Sequence, residues 1–258
     1  VARFNNAGHL FWVRSFGGDE DDSGTDLGLD GRNNVFVVGT FAGKADLDPL
    51  HTSYDPRSHG RNDIFVSIVS SIGESVYQTY MGGTGDESNA KIWVESDGAF
   101  FVGGEFEGSA DFDVRTDAGM LEGHGGRDIF LVRFAPPNSR AFEWGRALGG
   151  ATHEQLAALV EDGFGRLYVL GTYGGTVDFD LNDGVAELTS SGAADIFLAK
   201  YTRGGDFRRV QGMISSQDDR ASDLAIHTTN NVFIAGSYSG AIDLGSGLTI
   251  NTGKADGV

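Results

Sequence analysis

A unit of ~65 residues recurs four times along this chain, and such a chain buries its apolar surface by stacking copies of one small motif. Three anchors define the unit. The first is a large apolar residue followed by two small ones: Phe16-Gly17-Gly18, Met81-Gly82-Gly83, Leu148-Gly149-Gly150 and Ile214-Ser215-Ser216. The second is a hydrophobic run ending in Gly-x-(Phe/Tyr)-x-Gly: VFVVGTFAG from Val35, FFVGGEFEG from Phe100, LYVLGTYGG from Leu167 and VFIAGSYSG from Val232. The third is Asp-Ile-Phe at Asp63, Asp128 and Asp195, degenerate as Asp256-Gly257-Val258 in the last copy.

The third copy shows how one unit folds. Gln155 to Glu161 is apolar and bounded by Asp162-Gly163, and Leu167 to Tyr173 follows after a short turn. The two runs read as a hairpin. After a polar segment, Ile196 to Tyr201 and Phe207 to Met213 read as a second hairpin across Thr202 to Asp206. The unit is therefore four antiparallel strands, rich in β-branched and aromatic residues. Runs such as VFVV, LYVL and IFLV are apolar on both faces, as in strands covered on both sides. Blades stacked around an axis provide that cover. The 40 glycines, with only 4 prolines, fit many tight turns between short strands.

The expected fold is all-β: one β-propeller domain over 1–258, with units at about 1–65, 66–130, 131–197 and 198–258. Val1-Ala2-Arg3-Phe4 matches Leu131-Val132-Arg133-Phe134, so the chain begins inside a third strand and ends just before the same point. The first reading is four blades closed into a ring, the N-terminal strands completing the last blade and removing its edges. The alternative is four consecutive blades of a longer ring or array.

On these residues the chain resembles the bacterial SBBP repeat family of β-propeller repeat proteins, along nearly its whole length. The stretch GFGRLYVLGTYGGTVDFDLNDGVAELTSSGAADIFLAK, from Gly163 to Lys200, carries the resemblance best. The fourth copy departs most, losing the Gly-Gly, one Asp and Ile-Phe. The resemblance implies an extracellular, cell-surface or periplasmic location, since members are mostly large secreted or surface proteins, usually without an assigned activity.

An acidic pair follows the second anchor: Asp46/Asp48, Asp111/Asp113 and Asp178/Asp180, with Asp243 alone in the fourth copy and Gly245 at its second place. The fullest version is Asp178, Asp180 and Asn182, followed by Asp183-Gly184. Oxygen ligands at alternate positions before a turn glycine suit Ca2+, a hard cation that takes six to eight oxygens. The spacing is not an EF-hand, because the glycine comes one place late and no glutamate closes a 12-residue loop. The competing reading is that these acids cap backbone N–H groups, as in Asx turns.

A second acidic set follows the first anchor: Asp19 to Asp22, Asp86/Glu87, Glu154 and Asp218/Asp219. Its recurrence suggests a structural loop role, since an active site is normally one asymmetric constellation. His59 and His124 lie four residues before the Asp-Ile-Phe acid, where Ser191 and Thr252 stand elsewhere, while His9, His51, His153 and His227 are scattered. No zinc-type histidine spacing, nucleophile elbow or phosphate loop occurs. Gly103-Gly104 and Gly174-Gly175 end strands and read as turn glycines. Trp12 and Trp144 precede Gly-Gly at nearly equivalent places, where Tyr77 or Gln78 stands in the second copy, and read as blade packing or as a sugar platform; Trp93 stands apart.

The net charge is −18, from 37 acidic against 19 basic residues, which disfavours nucleic acid and anionic membranes as partners. No apolar run is long enough to insert directly into a membrane. The absence of cysteine excludes disulfides and thiol chemistry. The function expected is a non-catalytic scaffold for protein binding or assembly, with Ca2+ as the one candidate cofactor. A carbohydrate-binding propeller and a polysaccharide-active enzyme are the alternatives.

Overall fold

The computed structural model describes residues 1–48, 50, 56–139, 141–245 and 249–257, with side chains at 117 and 251–257 excepted. His51 and Val258, both named above, and the side chains of Thr252 and Asp256 lie outside that description. The described chain is all-β, with one short 3-10 turn at Asp117–Gly119. It divides into two compact units, Val1–Leu121 with Val132–Gly145, and Glu122–Leu131 with Arg146–Val258.

In the first unit, strands Asp22–Leu29, Val35–Phe41, Asp63–Val69 and Ser75–Gly83 pair in that order, each antiparallel to the next. Ser88–Val94 pairs with Phe100–Asp111 to open the next repeat, whose strands Met120–Phe134 and Phe142–Leu148 contribute residues to both units. The N-terminal Ala2–Phe4 and Leu10–Val13 form a hairpin of their own.

In the second unit, Gln155–Glu161, Arg166–Tyr173, Asp195–Thr202 and Phe207–Ser215 repeat the four-stranded pattern. The expected strands of the third copy match these to within two residues. The fourth copy supplies Arg220–Ile226, Val232–Asp243 and Thr249–Gly257. Every first-to-second strand pairing described slips at the same place on its first strand: between Gly24 and Asp26, Ser88 and Lys91, Leu156 and Ala158, and Ala221 and Asp223. A bulge at a fixed position raises the local twist of each sheet by a similar amount.

The apolar-on-both-faces runs behave as their composition demands. All seven residues of Asp63–Val69 are buried, as are Phe36, Val38, Val169 and Leu170. Phe36, Phe100 and Phe134 form a ring ladder in the first unit, with centroids 5.4 and 5.0 Å apart. Tyr173, Phe179 and Phe197 cluster in the second. Such pairs add stabilisation beyond the area they bury.

Short ladders join one repeat to the next. Gly82 and Gly83 lie opposite Asp111 and Ala110, Gly17 and Gly18 opposite Asp46 and Ala45, and Ile214 and Ser215 opposite Asp243 and Ile242. This register corrects one detail of the sequence reading. Ile214, not Ser215, occupies the place of Gly17 and Gly82, so the fourth anchor is Met213-Ile214-Ser215. With both glycines replaced, the motif alone carries no marker of its phase.

Candidate functional site

The acids proposed for calcium each hold the turn they stand in. Asp178 Oδ1 accepts the N–H groups of Asp180 and Ala186, at 3.0 and 2.8 Å, and Asp180 Oδ1 accepts that of Asn182 at 3.1 Å. Asp46 accepts from Asp48, and Asp48 from Leu50. Asp111 accepts from Asp113, and Asp113 from the Thr116 hydroxyl. Asp243 accepts from Gly245. These are Asx-type contacts, and each set serves its own repeat. Asn182 also points its amide towards the Gly205 carbonyl, 3.3 Å away. Among the described residues, no three His, Asp or Glu side chains gather as a metal site.

The structure instead joins the other two acidic anchors. In three repeats, the acid of Asp-Ile-Phe meets the acid four places after the second small residue. The pairs are Asp63 with Glu87, Asp128 with Glu154, and Asp195 with Asp219. The backbone builds the same cradle each time. The N–H of Glu87 donates to the Asn62 carbonyl at 3.0 Å, that of Glu154 to Arg127 at 2.8 Å, and that of Asp219 to Ala194 at 2.9 Å. The N–H groups of Gly83 and Gly150 donate back to Glu87 and Glu154, both at 3.0 Å. Ser215 replaces that contact with two: its N–H donates to Asp195 at 2.8 Å and its hydroxyl to Asp219 at 2.9 Å.

The first acid is held with equal regularity by the loop four residues before it. The N–H groups of His59, His124 and Ser191 donate to Asp63, Asp128 and Asp195. The variable polar position seen in the sequence is thus a backbone donor, which explains why its side chain is free to change. At His59 the ring also lies 3.1 Å from the Asp63 carboxyl.

These carboxyls are deeply buried: Asp63, Glu87, Asp128, Glu154 and Asp195 have no exposed surface, and Asp219 has 5%. Burial pushes Glu87 up to about 8, and the charges of Asp63, Asp86 and Glu107 add to the rise. Burial lifts Glu154 to about 7, with Asp128 adding repulsion, and Asp219 to about 6, with Asp195 adding repulsion. Asp63 and Asp128 are also raised, again chiefly by burial. Glu87 Oε1, Asp128 Oδ1 and Asp219 Oδ2 find no donor among the described residues. At Glu87, the most strongly raised of these groups, a proton would relieve the repulsion and supply a donor.

The glycines of the first anchor leave room for these pairs. A β-carbon on Gly82 would stand 2.5 Å from Asp63 Cγ and 2.6 Å from Glu87 Oε2. One on Gly149 would overlap Asp128 and lie 2.8 Å from Glu154 Oε2. In the first copy, Asp22 accepts the Gly18 N–H at 2.6 Å, and a β-carbon on Gly17 would strike it. Sealed away from solvent, these carboxyls hold the backbone at the joints they stand in.

Trp12, Tyr77 and Trp144 occupy one repeat position, five residues before Gly17, Gly82 and Gly149, and all three are buried. They pack rather than present a sugar platform: the Trp12 ring N–H donates to the Ser71 carbonyl, and Trp144 meets the Phe101 ring at 6.0 Å.

No family model matches the chain. Over 135 residues, 52% of this chain, it is 28% identical to the Regulatory protein FlaEY of Caulobacter vibrioides. Over 221 residues, 74% of this chain, it is 22% identical to an uncharacterised WD repeat-containing protein of Acanthamoeba polyphaga mimivirus. The chain spans 14% and 16% of the lengths of these two relatives.

Proposed function

We propose that this chain is a run of β-propeller blades acting as a non-catalytic scaffold for a protein partner or a larger assembly. One observation carries the reading: the most elaborate polar constellation in the molecule, the buried acid pair, is built three times over. Chemistry repeated from one unit to the next serves the unit, leaving the loops to serve partners. The WD-repeat relative supports the propeller, since WD repeats are propeller blades. A four-blade ring closed by the Val1–Val13 strands, or else four consecutive blades of a longer array, and membership of the SBBP repeat family belong to the same proposal. So does an extracytoplasmic location, which the family resemblance alone supports.

The exposed apolar side chains of the first unit fit an array. Phe4, Leu10, Phe11 and Val13 on the N-terminal hairpin, and Leu27 and Leu29 on the strand Asp22–Leu29, are more than half exposed. A further blade laid on them would give them the cover that the inner strands already have. The test is affinity capture with the purified chain, followed by direct binding of the captured protein once identified and purified. A saturable complex without chemical turnover is the expected result. Hydrolysis or elimination of a polysaccharide, abolished by substituting acids of this chain, would replace the scaffold with the enzyme reading.

A further inference from the structure

Among the described residues, a cluster of five cations lies at the far end of the third repeat's hairpins; Lys200 has Arg133 in its place in the second repeat, but the four arginines are peculiar to this copy. Phe164 and Arg166 come from the Asp162–Arg166 turn, Lys200 and Arg203 from the end of the third strand and its turn, and Arg208 and Arg209 from the fourth strand. Together they line an open pocket of about 830 Å3, within the range of small-molecule sites. All six residues belong to the second compact unit.

Strand register shows what is unusual here. Lys200 stands directly opposite Arg209, where the first repeat pairs Ile68 with Tyr77. The first repeat places Asn34, Ser71 and Val76 where this one has Arg166, Arg203 and Arg208. Arg209 also takes the place filled by the buried rings of Trp12, Tyr77 and Trp144. Like charges facing each other across strands destabilise a sheet. A chain with 19 basic residues in total has put five of them in one cavity.

Part of this charge is already matched. Arg166 Nε meets Asp162 at 2.8 Å, and Arg203 Nε meets Glu161 at 2.8 Å. Lys200 lies 4.0 Å from Asp162 and donates to the Tyr168 hydroxyl at 2.5 Å. Arg209 donates to the Gln211 side chain. Arg208 has no carboxylate partner among the described residues, and both Arg208 and Arg209 are exposed. Beside them, Phe164 is 70% exposed, with the Arg166 guanidinium 4.5 Å from its ring centre.

We propose that this pocket binds an acidic sugar of one or two rings, its oxyanion held by Arg208 and Arg209 and its ring lying on Phe164. Guanidinium groups present planar donor forks that match carboxylate, sulfate and phosphate oxygens. The exposed phenyl face takes the apolar face of a ring. A long polyanion does not suit the site, because beyond a Debye length of ~8 Å it would meet a protein carrying −18. The site is independent of the scaffold reading: losing it would leave protein binding intact.

Calorimetric titration of the full chain with digalacturonate, glucose 6-sulfate and glucose 6-phosphate tests the proposal and separates the three oxyanions. Neutral cellobiose and long polygalacturonate are the controls. At least one acidic sugar binds the wild type, cellobiose does not, and R208A/R209A weakens binding by about tenfold or more. The double variant melts at or above the wild-type midpoint, since it removes the Lys200–Arg209 repulsion; if it does not fold, Phe164→Ala is read in its place with the same threshold. The proposal is overturned if no acidic sugar binds, if only the long polymer binds, or if the variant loses less than that.

Discussion

The two ends of the hairpin Asp195–Thr202 and Phe207–Ser215 make opposite use of charge. At one end, Asp195 and Asp219 are buried together, fixed by Ser215, and copied in the pairs Asp63–Glu87 and Asp128–Glu154. At the other, Lys200, Arg203, Arg208 and Arg209 open to solvent and have no counterpart in the first repeat. The first end recurs in three repeats because it serves the fold of each. The second varies because no blade needs it, and that leaves it available for a ligand. In a repeat protein, the departures from the repeat are the more informative places to look for function.

The sharpest way to break this contrast is to crowd the repeated end. Gly149→Val places a side chain where the Asp128 and Glu154 carboxyls already stand. It should cost about 3 kcal/mol or more in urea unfolding, and a stable variant would show that the pair is dispensable. Gly204→Ala, in the cationic turn, meets nothing closer than 3.6 Å and should cost far less.

Next in size is the dependence on pH. Glu87 rises in the fold from 4.5 to about 8, and Glu154 from 4.5 to about 7, so the folded state holds protons that the unfolded state has released. Their contribution is full below about pH 4.5 and is lost as pH climbs towards 8. Denaturant midpoints should therefore fall between pH 5 and pH 9; midpoints rising over that range would mean the pairs are ionised at no cost.

Glu87→Gln sharpens the same point with a smaller effect. The amide imitates the protonated acid and donates within the pair. Relative to wild type it should gain about 1–2 kcal/mol at pH 9 and little at pH 5, read as a flatter pH profile. An equal shift at both pH values would point to packing instead.

The smallest expected effect belongs to calcium. Oδ1 of Asp178 already serves two backbone N–H groups and that of Asp180 a third, so replacing calcium by a chelator should leave the melting midpoint unchanged. A midpoint raised by calcium would put a cation among Asp178, Asp180 and Asn182 after all.

The strands were legible in the sequence because apolar runs bounded by glycine and aspartate leave few alternatives, as at Gln155–Glu161. The acid pairs were not, although each member recurs in the sequence on its own. Asp63 and Glu87 come from different anchors, and only the register of the intervening strands brings them together. Their shared recurrence in three copies was the available signal. The cationic pocket was hidden for a related reason. Arg166, Lys200 and Arg209 are unremarkable one by one and meet only through the pairings of Arg166 with Thr202 and Lys200 with Arg209. The slip at Ile214 shows the limit of motif matching once both marker glycines are gone.

The short ladders between repeats, such as Gly82 and Gly83 with Asp111 and Ala110, carry a consequence for how this architecture changes over evolutionary time. Each copy ends in the same small socket that receives the next. Duplication of one whole unit therefore brings its own joint with it, and copy number can drift without any joint being reinvented. An insertion of part of a unit would misalign every later socket, so change in length should proceed in whole blades.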